Sequence, residues 1–356
     1  MIHIEHEFNQ QTCDQINNFL YSAPIGVCGE HDPRWLNVLK HGLGHRVMAI
    51  ISRNSQNQID GYCPLALVKS ALFGRFLVSL PYLNRAGVIA SSPEIANAIS
   101  TKAADAANLV NAQYLELRHM TEQQLTTDSL PESRNEKLIM ALDLAQFNQD
   151  QDALFKAIGP KVRNQVRKGE KNNLTIQWGS HELIDDFYNI FAINMRDLGT
   201  PVYSKRLFES MATQFSNDCE FAVVSYQDKP ISAAVLVHDS LTQDKRTQVP
   251  SASCLRDYNF TNANMWMYHQ LLLRAMQRGS EKFDFGRSSE DSGTYRFKKQ
   301  WGAKPHACTW QYHVRKGAIG SMRPDDEGMK RKVEMWKKMP LWITKAIGPS
   351  IVKGIP

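Results

Sequence analysis

The densest group of residues able to do chemistry lies between residues 284 and 302, in the stretch DFGRSSEDSGTYRFKKQWG. Asp284 alternates with a phenylalanine on either side, so its carboxylate is predicted to point away from their face, either to orient a cation or to cap the next turn. Arg287 could bind a phosphate or carboxylate through both guanidinium nitrogens, although a surface arginine is nearly as common. Glu290 and Asp291 are candidate bases for an amine, although acidic residues in polar loops are usually only solvated.

Lys298 follows a glycine-containing loop within the same stretch. On residue type alone it is an exposed lysine of a Lys-Lys pair. Acyl transfer to an amine needs a deprotonated amine, a held ester or thioester carbonyl, and positive charge or N–H donors where the oxyanion forms. The stretch supplies these residue types without assigning their roles.

A second cationic group lies on a predicted helix over residues 161–171 (KVRNQVRKGEK), with Pro160 suited to the first helical position. Arg163, Arg167 and Lys171 recur at i, i+4 and i+8 and form one stripe beside an apolar one. A solvated face is the commoner interpretation of such a stripe. Three stacked like charges without acidic partners repel each other, which favours contact with the phosphates of a ligand.

Composition sets the scale of the elements that must position these residues. A chain of 356 residues with 42% hydrophobic content favours two domains. The net charge of +6 suits a polyanionic partner or an anionic membrane surface, and is a weak signal by itself. The first residues have neither the basic nor the apolar region of a secretory signal, so we expect a cytoplasmic protein.

No metal site is expected. The six cysteines are scattered without a C-x-x-C pair, which favours buried, reduced thiols. His41 and His45 have the spacing of a helical metal pair, but Gly42 and Gly44 favour a loop at that position.

The chain contains the same unit twice. Residues 46–52 and 61–68 read as a hairpin, and so do residues 220–226 and 231–238. Each hairpin is followed by another strand, a helix and a closing strand. The offset stays at 169 residues, since Leu67 aligns with Leu236 and Arg118 with Arg287.

The duplication predicts an α/β (α+β) fold of two tandem domains, over residues 1–150 and 151–320, with a basic amphipathic tail over residues 321–356. A hairpin followed by a helix and a closing strand is the order of the GNAT acyltransferase fold. The DFG and FK..WG text occurs only in the second copy. We therefore expect one reacting centre there, with the first half helping to hold the acceptor.

The stretch 284–302 resembles the C-terminal motif of the Fem-type peptidyltransferases, where a strand ending in DFG is followed by a glycine and then FK..(F/W)G. The matching residues are Asp284-Phe285-Gly286, Gly293, Phe297-Lys298 and Trp301-Gly302. The basic helix 161–171 and the loop 81–87 (PYLNRAG) are similar to other parts of that family. The nearest branch is the FemAB-related one that accompanies exosortase and exopolysaccharide systems.

The resemblance implies a twin GNAT fold that moves an aminoacyl group from tRNA to an amino group of a cell-wall precursor. It makes Lys298 the donor-side cation, with Asp284 and Glu290 as the other candidate catalytic residues. The predicted substrate-binding residues are Tyr82, Arg85, Arg163, Arg167, Tyr203, Arg256 and Arg287. Two departures concern the substrates, since the family's coiled-coil arm is absent and its first-domain lysine has only a loose counterpart in Lys40.

No bound cofactor is expected, because the donor would be a co-substrate, either aminoacyl-tRNA or acyl-CoA. The Q/R-x-x-G-x-G/A loop that holds the CoA pyrophosphate is missing before both candidate helices, which argues against acetyl-CoA. The expected acceptor is an amine-bearing glycan or a lipid-linked precursor. Two alternatives remain: an acyl-CoA-dependent N-acyltransferase of a nucleotide sugar, and a non-catalytic scaffold for polysaccharide assembly at the membrane.

The tail mixes lysines with tryptophans, which suits the interface of a membrane. Packing of the same apolar residues onto the body of the protein is an equal alternative. The first alternative predicts peripheral attachment to the inner face of the membrane.

Overall fold

The computed structural model describes residues 1–23, 26–70, 73–121, 125, 127–240, 242–317, 319 and 327–355. The strands of the first half are β1 (Ile2–Glu5), β2 (Arg46–Arg53), β3 (Ile59–Ser70), β4 (Gly74–Val78), β5 (Ile89–Ala90), β6 (Tyr114–Met120), β7 (Glu132–Arg134) and β8 (Leu138–Asp143). Its α-helices are α1 (Gln10–Ser22), α2 (Arg34–Leu43) and α3 (Pro93–Leu109). Helix α3 begins after Ser92, because the Ser92 side chain accepts a hydrogen bond from the Ile95 amide and Pro93 takes the first position.

The second half repeats this order and adds helices. Its strands are β9 (Thr175–Gly179), β10 (Cys219–Tyr226), β11 (Lys229–His238), β12 (Arg246–Cys254), β13 (Lys282–Ser288) and β14 (Lys304–Val314). Its α-helices are α4 (Gln151–Ala157), α5 (Pro160–Lys171), α6 (Ile184–Leu198), α7 (Lys205–Phe215), α8 (Ala263–Gln277), α9 (Gly293–Lys299), α10 (Glu327–Lys337) and α11 (Leu341–Val352). Both predicted hairpins are present, as β2 with β3 and β10 with β11.

One continuous sheet runs through both halves in the order β1-β2-β3-β4-β6-β14-β8-β13-β12-β11-β10-β9. Equivalent strands occupy equivalent places when the order is read inward from the two edges. The two innermost strands are exchanged, because β14 from the end of the chain pairs with β6, and β8 from the first half pairs with β13. The division at residue 150 remains a prediction, since these two strands cross between the halves of the sheet.

Helices α1 and α2 of the first half share one hydrophobic core with α6 and α7 of the second half. Trp35 and Leu39 of α2 lie in the same buried cluster as Phe208 and Met211 of α7. A Cβ at Gly42 would come within 2.8 Å of the Leu207 Cα, so α2 and α7 approach closely only because this residue is glycine.

The predicted loop at His41 is wrong, because α2 continues through His41 and Gly42 and ends before Gly44, which has φ +70°. Packing against α7 compensates for the low helix propensity of Gly42. His45 lies beyond the helix, and among the described residues no group of three or more His, Cys, Asp or Glu side chains could hold a metal ion. No helix in the described ranges is long and apolar enough to cross a membrane.

The described part of the tail packs onto the body, while residues 321–326 of the predicted tail lie outside the described residues. Helices α10 and α11 both contact α6. Trp336 is 7% exposed, and a Cβ at Gly348 would come within 2.9 Å of the Val202 nitrogen. Of the two alternatives for the tail, packing onto the body is therefore found for Trp336 and Gly348.

Candidate active site

A cleft lined by both halves opens where two parallel strands separate. β12 and β13 pair only from Arg246 with Lys282 to Gln248 with Asp284. Beyond that point, residues 249–253 form one wall and residues 285–287 another, around a cavity of about 460 Å³. Residues 81–84 of the first half and the helices α6 and α7 complete the lining. The cleft is therefore shared by both halves of the chain.

An irregularity in β13 shapes the floor of this cleft. The pairing of β13 with β8 shifts between Asp284 and Arg287. Gly286 has φ +80°, which glycine adopts without strain, and its amide donates to Asp284 Oδ1 at 2.7 Å. The aspartate therefore caps this turn, which was one of the two roles left open for it.

Lys298 lies against the turn. Helix α9 begins after Ser292, whose side chain accepts from the Tyr295 amide. The Lys298 ammonium donates to the carbonyls of Gly286 at 3.0 Å and Arg287 at 2.9 Å, which leaves one N–H for the cleft that the side chain lines. Burial lowers the pKa of Lys298 to about 8, against the opposing charge of Asp284.

Arg85 does not line the cleft, contrary to its predicted role in binding the acceptor. Its side chain is 3% exposed, and its Nη2 lies 2.9 Å from Asp284 Oδ2 and 3.5 Å from Glu30 Oε1. The backbone amide of Arg85 also donates to Glu30. Asp284 therefore does both things that the sequence left open, because besides capping the turn it orients this buried cation. The Arg85 side chain does not reach the cleft because its guanidinium is enclosed by two carboxylates at the junction of the halves.

Arg287 and Arg118, the pair aligned across the repeat, meet over one tryptophan. The guanidinium carbon of Arg118 lies 4.3 Å from the ring centroid of Trp310, and that of Arg287 lies 4.9 Å from it. Arg118 pairs with Glu116 at 2.6 Å, whereas Arg287 has no acidic partner in the part of the chain that the structure describes. Desolvation and the charge of Arg118 lower the pKa of Arg287. Arg287 lines the cleft, so it could bind an anionic group there.

Tyr82 and Tyr203 also line the cleft, and their binding of the acceptor remains a prediction. Their ring centroids are 5.2 Å apart. The Tyr82 hydroxyl donates to the Lys353 carbonyl and lies 3.1 Å from His45 Nε2. Burial raises the pKa of Tyr203 to about 12, so both tyrosines stay neutral at physiological pH.

Two predicted residues lie on exposed loops outside the cleft lining. Glu290 is exposed in the turn before α9, so the geometry does not favour it as the base. Arg256 is exposed in the 3-10 turn that follows β12. Both predictions used proximity along the chain, which the turns redirect toward solvent.

The basic helix is separate from the cleft as well. Arg163 donates to the carbonyls of Lys156 at 2.9 Å and of Ile158, and so it caps the end of α4. Arg167 lies over the Phe155 ring, 5.4 Å from its centroid. These two arginines therefore do not reach the reaction centre, although the helix surface remains available to a large ligand.

Sequence reasoning missed three residues of the site. Glu30 holds Arg85, and Trp310 stacks with the two arginines. Asn194 lines the cleft and donates to Ser253 at 3.2 Å. Only Asn194 had a usable signal, because it shares a helix face with Phe191 and Leu198 at spacings of three and four residues.

The equivalent opening in the first half is filled. β4 and β6 pair from Phe76 to Val78, and the following loop then occupies the space between the strands. The Arg118 amide donates to Ser79 Oγ at 2.8 Å, and its guanidinium donates to the carbonyls of Leu80 and Leu83. A Cβ at Gly87 would overlap the His119 ring. The second-half cleft is therefore the open one of the pair.

Comparisons with known proteins agree with this architecture. Residues 160–299 match the family model described as an acetyltransferase (GNAT) domain. A search of curated protein sequences finds no significant match. The twin GNAT fold predicted from the Fem-type resemblance is confirmed by similar solved structures, whereas the exosortase-associated branch remains a prediction.

Three of these structures illustrate the likeness. FemX has a TM-score of 0.61 at 14% identity, over 88% of this chain and 97% of its own. L-PGS from Bacillus licheniformis has a TM-score of 0.55 at 10% identity, over 95% and 100%. A tandem GNAT protein from the clavulanic acid biosynthesis pathway has a TM-score of 0.50 at 11% identity, over 89% and 100%. At these identities the likeness concerns the fold.

Proposed function

From the tandem GNAT fold of the chain we propose that it is an acyltransferase, and that it transfers an aminoacyl group from tRNA to an amino group of a cell-surface glycan or lipid-linked precursor in the cytoplasm. The amine attacks the ester carbonyl in the cleft between β12 and β13, so that a C–N bond forms while the C–O bond to the tRNA ribose breaks. The ribose hydroxyl leaves, and it takes up the proton that the amine loses. Lys298 donates its remaining N–H to the oxygen that becomes negative, and Arg287 holds an anionic group of the acceptor. Tyr82 and Tyr203 contact the acceptor from the wall that the two halves share.

The observation that carries the choice of donor is the start of α8, the helix that follows β12. The amide of Asn262 donates to the Asn259 carbonyl and that of Met265 to the Asn262 carbonyl, both at 3.1 Å, and the amide of Ala263 donates to Thr261 Oγ1 at 3.1 Å. The amide of Asn264 faces the Cys254 thiol. A CoA pyrophosphate at a helix start needs free N–H groups. Three of the four amides at the start of α8 are hydrogen-bonded within the chain and the fourth faces a thiol, which supports a donor other than acyl-CoA.

The surface beside this helix suits a single-stranded nucleic acid. Phe260 is 63% exposed, and its ring centroid lies 5.7 Å from that of Tyr226 and 6.2 Å from that of Tyr258. Lys229 lies over the Tyr258 ring, and Arg256 is exposed nearby along the chain. Exposed rings beside cations bind unpaired bases by stacking, as the 3′ end of a tRNA would require. The segment follows β12 directly, so such an end could reach the cleft.

The second candidate function is acyl-CoA-dependent N-acylation of a nucleotide sugar. It is favoured by the acetyltransferase description of the family model that matches residues 160–299. The engaged amides at α8 argue against it. The two candidates differ in the donor and share the cleft.

Thermal shift with purified full-length chain separates the donors, because a ligand at 100 times its Kd stabilises by about 2.7 kcal/mol. We expect stabilisation by an aminoacyl-tRNA pool and none by acetyl-CoA or longer acyl-CoAs. Phe260→Ala should lose the effect, whereas Tyr21→Ala, which removes a comparably exposed ring elsewhere, should keep it. Mass spectrometry of amino-sugar acceptors then detects the transferred group.

Stabilisation and transfer with acyl-CoA alone would establish the second candidate. If no donor gives transfer to any amine, the scaffold alternative is left. In either outcome the aminoacyl-tRNA proposal is rejected.

A further inference from the structure

Helix α11 packs onto the body through a face that lacks large side chains. Thr344, Gly348 and Val352 are buried and recur every four residues, so they form one face. That face lies against α6 and the segment that follows it, where Gly348 meets Val202. This arrangement leaves Trp342 and Ile347 on the outer side of the helix, whereas Leu341 at its start packs against the core.

Large apolar side chains are consequently exposed together at the tail. Trp342 is 71% exposed and Ile347 is 43% exposed on α11, and Met335 on α10 is 69% exposed. Leu198, at the end of α6, is 51% exposed and lies next to Gly199, which Val333 of α10 covers. A helix on the surface of a water-soluble protein normally packs such residues against the core. The reversed arrangement indicates a surface that meets an apolar phase.

Cations without acidic partners surround this apolar surface. Residues 330–353 contain seven basic residues and one acidic residue, Glu334, which pairs with Lys337 at 2.7 Å. Lys345 contacts Asn189 and the Tyr188 ring. The exposed cations that have no acidic partner within the described residues are Lys330, Arg331, Lys332, Lys338 and Lys353.

We propose that α10 and α11, with the end of α6, form a docking surface for an anionic lipid bilayer. Tryptophan and aliphatic residues enter the interfacial region, while the surrounding lysines contact anionic headgroups. An RNA partner would be favoured by exposed rings able to stack and by arginines, whereas this surface exposes one tryptophan beside aliphatic side chains, and six of its seven cations are lysines. The membrane is therefore the partner that fits both the shape and the charge.

The docking surface is continuous with the cleft. Leu198 belongs to both, and the Tyr82 hydroxyl in the cleft donates to the Lys353 carbonyl just beyond α11 at 3.1 Å. A lipid-borne substrate could therefore pass from the bilayer to the cleft along α6. The choice of a lipid-linked acceptor rests on the proposed function, whereas the docking surface does not.

Co-sedimentation of the full chain with vesicles tests the docking surface. We expect binding to vesicles of equal parts phosphatidylglycerol and phosphatidylcholine, weakened by salt, and little binding to phosphatidylcholine alone. Trp342→Ser with Ile347→Ser should reduce binding roughly tenfold or more. The matched control Leu109→Ser changes an exposed apolar residue of the first half, 77% exposed, and should bind as the unmodified chain does.

The charge component has its own pair of variants. Lys330→Gln with Lys332→Gln should reduce binding to anionic vesicles roughly tenfold, and Lys161→Gln with Lys168→Gln, an equally exposed pair on α5, should not. Equal binding by all variants, or binding to RNA or to a second copy of the chain in place of vesicles, would overturn the proposal. Failure of aminoacyl transfer with vesicle binding intact would reject only the proposed function.

Discussion

Arg85 in the first half and Asp284 in the second form a buried ion pair, with Nη2 2.9 Å from Oδ2 and both side chains 3% exposed. The second oxygen of Asp284 accepts the Gly286 amide, and the carbonyl of Gly286 accepts from Lys298. A loop of the first half is thus connected through one carboxylate to the candidate catalytic lysine. The first half contributes in this way to the geometry of the second.

Replacing Arg85 should destabilise the protein strongly, because the buried carboxylates of Asp284 and Glu30 would both lose this cation. The more distant Arg246, whose Nη1 lies 3.7 Å from Asp284 Oδ2, would remain beside Asp284. We expect Arg85→Ala to lower the free energy of unfolding by about 3–5 kcal/mol. Urea denaturation measures this change, with Arg75→Ala, an exposed arginine on β4, as the control. A loss no larger than that of the control would contradict the importance of the pair.

Lys298 should be needed for transfer. Removing one donor to a developing oxyanion costs roughly 100–1,000-fold in rate, so Lys298→Ala should lose activity by about that factor. Lys299→Ala removes the exposed neighbour and should leave the rate unchanged. Circular dichroism and the melting temperature check that both variants fold, and unchanged turnover in Lys298→Ala would remove this residue from the mechanism.

The same lysine should titrate unusually low. With a pKa of about 8 in the folded state and an ordinary value of 10.5, Lys298 loses its proton in the folded protein before it does in the unfolded chain. The free energy of unfolding should therefore gain a contribution that rises between about pH 8 and 10.5, and transfer that needs the ammonium should fall above about pH 8. A ¹³Cε lysine titration by NMR should show a low midpoint that is absent in Lys298→Met, and an ordinary midpoint would refute the assignment.

The filled opening of the first half should not tolerate a side chain at residue 87. A Cβ there would overlap the His119 ring and lie 2.8 Å from the Arg118 carbonyl oxygen. Gly87→Ala should therefore cost about 1–3 kcal/mol of stability through overpacking. Gly159→Ala, where no other atom lies within 4 Å, is the matched control. Similar melting temperatures for the two variants would show that the loop can shift.

Several residues that the sequence predicted for the site line the cleft, both neighbours in the chain and the distant pair Tyr82 and Tyr203. Asp284 and Lys298 belong to one local motif, and both line the cleft. Glu290 and Arg256 were predicted from the same proximity, but the turns that carry them expose their side chains. A turn can reverse the direction of a side chain within two residues. Residue types predict where a turn lies better than they predict which way its side chains point.

Arg163 illustrates a second limit. The predicted apolar stripe of its helix is present, since Val162 and Val166 are buried. The partners of the cationic stripe came from the end of α4, which no helical pattern could reveal. Whether a polar side chain meets a ligand or a backbone carbonyl depends on which element packs beside it.

The amino-acid sequence by itself determined the two α/β units and the placement of the DFG and FK..WG motifs in the second, because turns, caps and alternating apolar residues act within a few positions of each other. Only the tertiary structure decided that β8 and β14 exchange between the halves, that Arg85 meets Asp284, and that one of two equivalent openings is filled. These outcomes depend on contacts between residues far apart in the chain, where the available packing space and the pairing of buried charges select the arrangement. Local patterns of residue types do not predict such contacts.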